Sequence, residues 1–381
     1  MEASGLCPEL KFVNTSDSRD RSKKKQRPDI AIYWNPSGDK HDSEPGLDFK
    51  AVDLWIENKN KNGDIFRTLT ELKQDEEKNG DLESHIRWTN SAYKICGQLI
   101  AYATALHHSQ FRVFSFGVVL FGEKGRLLRW DRSGVVYTEA FQWKTQPDTL
   151  FEFFWRLNFL SPVDRGYDTT VTPVMDDDEE AKAALSKLRT YGGWEKGEKL
   201  EIGNLYRFLV HDDHATDGKL RSYITPGAIW DTNALFGRCT FGYIAYDVAT
   251  SKLVYLKDFW RTDLPRIQRE GDVYRKLHDA NVPNIPVLGP AGDVPLSADD
   301  AGTFPLAVQR TKTQDYLKGP GGRGEWCPGR PCVEPYVHYR LVLETLGQPL
   351  NTFKSTRQLC EVIRDAIVGK ECVLVFRFFI D

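Results

Sequence analysis

The sequence predicts an α+β protein with two principal domains, a mixed α/β domain in the first half and a β-rich lobe in the second. Two observations carry that reading. In the first half, apolar runs of period two flank one long run of period 3.6, as strands and a helix do when they share a core. In the second half a glycine turn, a strand, a lysine-bearing strand and a glutamate-bearing helix follow in order. A length of 381 residues supports more than one core. The expected organisation is a flexible basic arm over 1–27, an α/β domain over 28–160, an interdomain loop and helix over 161–195, a lobe over 196–350 and a closing segment over 351–381.

The 51 basic and 54 acidic side chains nearly cancel, which argues against a surface that coats nucleic acid. Seven irregularly spaced cysteines suit free thiols in a reducing compartment. Cys327 and Cys332 are the one close pair, and only His338 is near enough in sequence to join them, so zinc is not expected. No basic stretch followed by an apolar core opens the chain, and no run of about 18 apolar residues occurs. The expected location is intracellular, cytoplasmic or nuclear, with no membrane contact. Lys23-Lys24-Lys25-Gln26-Arg27 reads as a solvated arm, with a nuclear import signal or a nucleic-acid patch as the alternatives.

Ile30 to Tyr33 alternates just after Pro28, which suits a strand. A second strand spans Ala51 to Lys59 and carries Glu57 and Lys59 two residues apart, on one face. Asp29 and Glu57 are the carboxylates that would hold a divalent cation for phosphodiester hydrolysis, with Lys59 steadying the developing charge. Trp88 to Leu106 has helical periodicity and sets Gln98 and Tyr102 one turn apart. Val113–Phe121 and Gly125–Trp130 flank a Gly-Glu-Lys-Gly turn, a hairpin signal. Leu150 to Leu160 is an aromatic-rich amphipathic helix whose stripe reads as core. The pattern Pro-Asp, then Glu-x-Lys at a strand end, then Gln-x-x-x-Tyr on a helix resembles the restriction-endonuclease-like fold. That resemblance implies a nuclease core; the plainer reading leaves Glu57 and Lys59 an exposed pair at a strand end.

Asp176 to Glu180 opens a helix whose acidic start complements the helix dipole and which Gly192-Gly193 ends. Glu198 to Leu209 is strand-like. His211, Asp213 and His214 lie beside the Asp217-Gly218 turn, so a hairpin tip is preferred to a metal site. Gly237 and Gly242 bracket a small turn, Lys252–Asp258 is a strand, and Glu270, Tyr274 and Leu277 share a helix face. Ala307 to Thr311 is a short strand, and Thr313 to Val333 a glycine- and proline-rich insertion. Tyr336 to Glu344 is a central strand, Gly347 to Leu350 a hinge, and Ser355 or Thr356 caps a helix to about Ile367.

Several of these segments together resemble the fungal-type protein kinases. They are Leu256-Lys257-Asp258-x-Trp260-Arg261, Glu270-Gly271-x-x-Tyr274, His338-Tyr339-Arg340-Leu341-Val342-x-Glu344 and Arg364-Asp365-Ala366. In the first half, Gly97-Gln98-Leu99, Arg129-Trp130-Asp131-Arg132-Ser133-Gly134 and Arg165-Gly166-Tyr167-Asp168 match as well, so the resemblance runs from about Arg27 to Lys370. It implies a protein-kinase-like N-lobe binding ATP with Mg2+. Lys257 would meet the phosphates and Glu270 would pair with Lys257. Gly237 and Gly242 would frame the phosphate loop, and the backbone from Glu344 to Leu350 would meet adenine. Ser/Thr protein phosphorylation is the implied activity of the complete domain.

No His-Arg-Asp and no Asp-Phe-Gly occurs in the 381 residues. Phosphoryl transfer needs an orienting carboxylate and metal ligands at the γ-phosphate. The chain is therefore expected to be a truncated kinase with an incomplete C-lobe, inactive as it stands. A pseudokinase-like binding fragment is the first alternative and a metal-dependent nuclease the second. Gly369 is expected to interrupt the last helix, leaving Glu371 to Asp381 as an apolar, β-prone tail. The exposed half-cleft implies a protein partner; a protein substrate follows only from the complete domain, and nucleic acid is not an expected partner.

Overall fold

The computed structural model describes residues 5–16, 27–35, 47–68, 70–72, 74, 78, 86–87, 89–191, 200–229, 232, 234–300, 305–318, 333–348 and 350–377. The Lys23–Gln26 part of the basic cluster, Gly192-Gly193, Cys327, Cys332, Pro349 and residues 378–381 of the tail lie outside these. The architecture is α+β, with two seven-stranded sheets and several helices. The chain divides into two units. The first takes Met1–Asp168, Asn233–Cys239 and Arg310–Tyr336, and the second takes Thr169–Thr232, Thr240–Gln309 and Val337–Asp381.

The first unit is built on strands β1 (Leu10–Asn14), β2 (Ile30–Trp34) and β3 (Val52–Lys59), helix α1 (Asn90–Ser109), strands β4 (Phe114–Phe121), β5 (Lys124–Asp131), β6 (Gly134–Tyr137) and β7 (Phe141–Gln142), and helix α2 (Asp148–Phe159). Strands β1 to β6 lie side by side in sequence order, with β7 pairing β5. Among the described strands of this unit only β3 and β4 pair in parallel, and α1 is the crossover that a parallel pair requires. Thr89 caps α1 by accepting the Ala92 N–H. Successive residues of β3 and β4 alternate between two cores. Trp55, Val119 and Phe121 pack with Leu99, Tyr102 and Leu106 of α1. Leu54, Ile56, Val118 and Leu120 pack with Leu150, Phe154 and Leu157 of α2. The expected flexible arm contains β1, which pairs antiparallel with β2 from Leu10↔Trp34 to Asn14↔Ile30. Five residues with one polar neighbour on each side were too short a pattern to stand out from the arm.

Two later segments complete this unit. Leu235 is 3% exposed in the core under α1, the Phe236 ring stacks on Trp130 at 6.2 Å, and Arg132 Nη1 donates to Leu235 O (3.1 Å). Asp131, wholly buried, accepts from Lys312 N (2.8 Å), Thr313 N (3.0 Å) and Thr313 Oγ1 (2.8 Å).

The second unit contains β8 (Val171–Pro173), helix α3 (Glu179–Thr190), β9 (Tyr206–Val210), β10 (Arg221–Thr225), β11 (Phe241–Asp247), β12 (Lys252–Thr262), helix α4 (Glu270–Asp279), β13 (Leu288–Asp293), β14 (Tyr336–Leu343) and helix α5 (Thr356–Arg377). The strand order is β13-β14-β12-β11-β10-β9-β8. Asp178 caps α3 by accepting the N–H groups of Glu180 and Ala181, and Ala181, Ala184, Leu185 and Leu188 bury against Ile224 and Ile244. Of the stretch expected to be strand, Glu198 lies outside the described residues, Ile202–Asn204 forms a 3-10 turn and the strand runs from Tyr206. Ala307 to Thr311 is not a strand: Val308 makes one isolated bridge to Pro295.

The expectation for the closing helix is corrected. α5 runs through Gly369 to Arg377. Glycine costs a helix interior about 1 kcal/mol, but here it serves close packing. A Cβ at Gly369 would lie 3.2 Å from the Pro283 carbonyl oxygen, and Asn284 Nδ2 donates to Asp365 O one turn earlier. Ser355 Oγ caps the start by accepting the Gln358 N–H. Among the described residues no helix is long and apolar enough to cross a membrane. Cys7, Cys96, Cys239 and Cys360 are free thiols.

Candidate functional site

In the second unit, β12 and α4 bring Lys257 and Glu270 together. Lys257 Nζ donates to both carboxylate oxygens at 2.7 Å. The two side chains are 23% and 26% exposed, so the pair stands at a surface rather than in a core. An ammonium has three donors; Glu270 takes two, leaving one for an incoming acceptor. Lys257 Nζ also sits 4.7 Å from the Phe259 ring centroid, over its face.

Gly242 lies directly opposite Lys257 in the β11–β12 pairing. A Cβ there would come within 2.2 Å of the Tyr255 hydroxyl. Tyr255 shares the face of Lys257, so glycine keeps that face clear. Gly237 adopts φ +88°, a conformation glycine favours. It belongs to the first unit, where its N–H donates to Arg132 O at 2.8 Å. Glu344 is exposed one residue beyond β14, and its N–H donates to Val287 O at 2.9 Å.

Gly271, next to Glu270, has a separate role. Its N–H donates to the Tyr339 hydroxyl (3.2 Å). A Cβ would meet that oxygen at 2.5 Å and the Ala291 Cβ at 2.8 Å. Glycine thus lets α4 approach β13 and β14 closely enough for Glu270 to reach Lys257. Gly271→Ala is expected to destabilise the chain by about 1–3 kcal/mol through overpacking, read as a lowered thermal midpoint; an unchanged midpoint would mean that α4 shifts freely.

Beneath the pair lies a network that the sequence reading missed. Asp258, following Lys257, is 6% exposed and His338 likewise. Asp258 Oδ2 accepts from Arg340 Nε (3.0 Å) and Oδ1 contacts His338 Nε2. His338 Nδ1 is 2.7 Å from Gln309 Oε1, and the imidazole stacks on Trp260 at 4.7 Å. Burial pushes the Asp258 carboxyl up, but His338 and Arg340 outweigh it and hold it well below the usual carboxylate range. The signal was visible as charged residues alternating within apolar strands, though their partners lie about 80 residues apart.

The first unit gathers a second constellation. Glu57, 2% exposed, accepts from Gln98 Nε2 at 2.9 Å and pairs with Lys59 Nζ. Gln98 Nε2 also lies 2.6 Å from the Tyr102 hydroxyl, which donates to Arg27 O at 2.5 Å. Asp29 Oδ2 accepts the Asn58 N–H at 2.7 Å. Glu57 Oε2 is buried without a hydrogen-bond partner. Burial raises the Glu57 carboxyl above its ordinary range; Lys59 pulls it down and Asp29 pushes it further up. Lys59 and Glu57 are thus not an exposed pair: α1 covers the glutamate. Among the described residues no group of three His, Cys, Asp or Glu side chains is arranged to hold a metal. His211, Asp213 and His214 form hydrogen bonds and ion pairs rather than such a group.

A family model described as fungal protein kinase matches residues 79–375. The match begins beyond β2 and β3, later than the residues from Arg27 onward would suggest, and it continues past Gly369 into the last turns of α5. No curated protein and no solved structure matches the chain.

Proposed function

Because the chain belongs to the fungal protein kinase family, we propose that its second unit binds ATP with Mg2+ through Lys257. The single observation that carries this is the two-bond contact of Lys257 with Glu270 on a surface cleared by Gly242. Glu270 fixes the ammonium, whose remaining proton donates to a phosphate oxygen. The backbone after Glu344 is assigned to adenine, and Gly237 and Gly242 bound the segment that precedes the lysine strand. The triphosphate brings its own magnesium, which offsets phosphate charge. Titration of the chain with a fluorescent ATP analogue in magnesium tests this reading. Saturable binding displaced by ATP supports it, and no binding overturns it.

Residues 1–381 contain no segment of the His-Arg-Asp or Asp-Phe-Gly type. The polypeptide of these residues is accordingly proposed to hold nucleotide without transferring phosphate, acting by binding, as a pseudokinase does. A protein that also supplies those segments would phosphorylate protein substrates. The exposed Phe353, Val362, Ile363, Ile367 and Val368 offer an apolar surface to a protein partner.

A second reading is favoured by the unpartnered, buried Oε2 of Glu57 beside Gln98, Lys59 and Asp29. On the resemblance to the restriction-endonuclease-like fold, Glu57 and Asp29 would take a divalent cation and Lys59 would stabilise a phosphodiester transition state. Magnesium-dependent cleavage of DNA or RNA, lost in Glu57→Gln and Lys59→Ala, is the expected result. Absence of cleavage across single- and double-stranded substrates would remove this reading.

A further inference from the structure

The hairpin connection between β9 and β10 has no place in the nucleotide reading, although it carries Asp212, Asp213 and His214 in succession. It is anchored to the sheet at β13. The Asp213 N–H donates to Ala291 O (3.1 Å) and Asp213 Oδ1 accepts the Asp293 N–H (3.2 Å). Gly292 permits this approach, since a Cβ there would lie 2.7 Å from both Asp213 Oδ1 and His211 O. The sheet is therefore curled, with the end of β9 reaching the opposite edge strand.

From this anchor the same three residues grip one face of α4. Asp213 Oδ2 accepts from Arg269 Nη1 at 2.6 Å, Asp212 Oδ1 accepts from Arg275 Nη2 at 2.8 Å, and His214 Nε2 meets Asp272 Oδ1 at 2.8 Å. Arg269, Asp272 and Arg275 are spaced by three residues, so they line one side of the helix. The contacts alternate in sign, and a one-turn slip of α4 would mispair them. Arg269 also reaches Asp293 Oδ2 at 3.3 Å, while Arg261 holds Asp293 at 2.7 and 2.8 Å. Burial raises the Asp213 carboxyl, but His211, Arg269 and the Asp293 N–H together bring it below its ordinary range, so it stays ionised for Arg269.

We infer that Asp212, Asp213 and His214 are positioning residues that fix α4 on the sheet and so hold Glu270 against Lys257. The consequence for nucleotide affinity rests on the reading proposed above; the positioning itself does not. Breaking the clamp frees α4 to move by a fraction of a turn, and Lys257 loses its second carboxylate contact.

The test uses the whole chain and a charge exchange at the half-buried Asp212–Arg275 pair. Asp212→Arg and Arg275→Asp are made singly and together. The first readout is the acetylation rate of Lys257 by acetic anhydride, followed by peptide mass spectrometry, because an amine held by two carboxylate oxygens is shielded. Each single variant is expected to label about fivefold faster, the value of one such ion pair, and the double variant to return to the wild-type rate. A merely structural role would not be rescued by the exchange. Unchanged labelling in both single variants would overturn the inference. If the single variants do not fold, Arg269→Gln and His214→Ala, at more exposed positions, carry the same readout. The second readout is titration with the fluorescent ATP analogue. If Lys257→Ala leaves wild-type affinity unaltered, the nucleotide reading fails, and the labelling result still decides the clamp.

Discussion

Lys257→Ala is expected to weaken binding of an ATP analogue by about 10- to 100-fold, the value of one charge-assisted bond to phosphate. The ammonium makes two bonds to Glu270 and retains one donor. Alanine removes that donor and leaves the Glu270 carboxylate facing the phosphates, so attraction is replaced by repulsion. Glu270→Gln should act more weakly, because the lysine remains while its orientation loosens. Fluorescence titration at fixed magnesium measures both. Equal affinities for wild type and Lys257→Ala would move nucleotide binding away from this pair. The thermal midpoint should change little in either variant, since both side chains are about a quarter exposed and such pairs contribute little to stability.

Asp258→Asn is expected to have the largest effect on stability, a loss of about 3–5 kcal/mol. Arg340 is 1% exposed, and Asp258 is its anionic partner in the strand pair. It also donates to Thr170 Oγ1 (2.6 Å) and Leu209 O (2.9 Å). Removing the carboxylate takes from the buried Arg340 guanidinium and the His338 imidazole the anionic acceptor that they share. Urea unfolding of the variant measures the loss. Arg340→Met combined with Asp258→Asn should cost less than the two single changes summed, because the two side chains contact each other directly. The pH dependence has a defined sign. The folded carboxyl titrates below the ordinary range, so the unfolded chain binds the proton more readily. Its contribution is full at neutral pH and is lost as pH falls below about 4 and through the folded value. Asp258→Asn should therefore flatten the acid limb of the stability profile. An acid limb equal to that of wild type would mean that other carboxylates set it.

How far the sequence reveals the site depends on the range of the interactions. Lys257 and Glu270 were legible because a lysine ending an apolar strand and a glutamate opening the next helix are separated by few residues. Glu57 with Lys59, and Gln98 with Tyr102, were legible for the same reason: periods of two and four place each pair on one face. Their convergence needed α1 to cross back over β3, which no local pattern specifies. The hairpin was recognised at His211 to Gly218, but its hold on α4 was not. Asp213 and Arg269 are 56 residues apart, and scattered surface charges give no sign of their partners. Gly369 misled because a glycine in an apolar stretch looks like a helix breaker; the close approach of Pro283 explains its presence better. β1 was hidden by brevity, since five residues acquire strand character only once β2 stands beside them.

The threading of Asn233–Cys239 and Arg310–Tyr336 into the first unit has a consequence for biosynthesis. At about 5–20 residues per second, the ribosome takes on the order of ten seconds or more to pass from Asp168 to Thr313. Through that interval the Asp131 carboxylate lacks the Lys312 and Thr313 donors that later enclose it, and the place of Leu235 under α1 stays open until residue 235 emerges. The amino-terminal sheet therefore cannot lock vectorially as it leaves the exit tunnel. It waits, half-sealed, on residues made long after Asp168, and nascent chains in this window are natural clients for chaperones that shelter apolar surface.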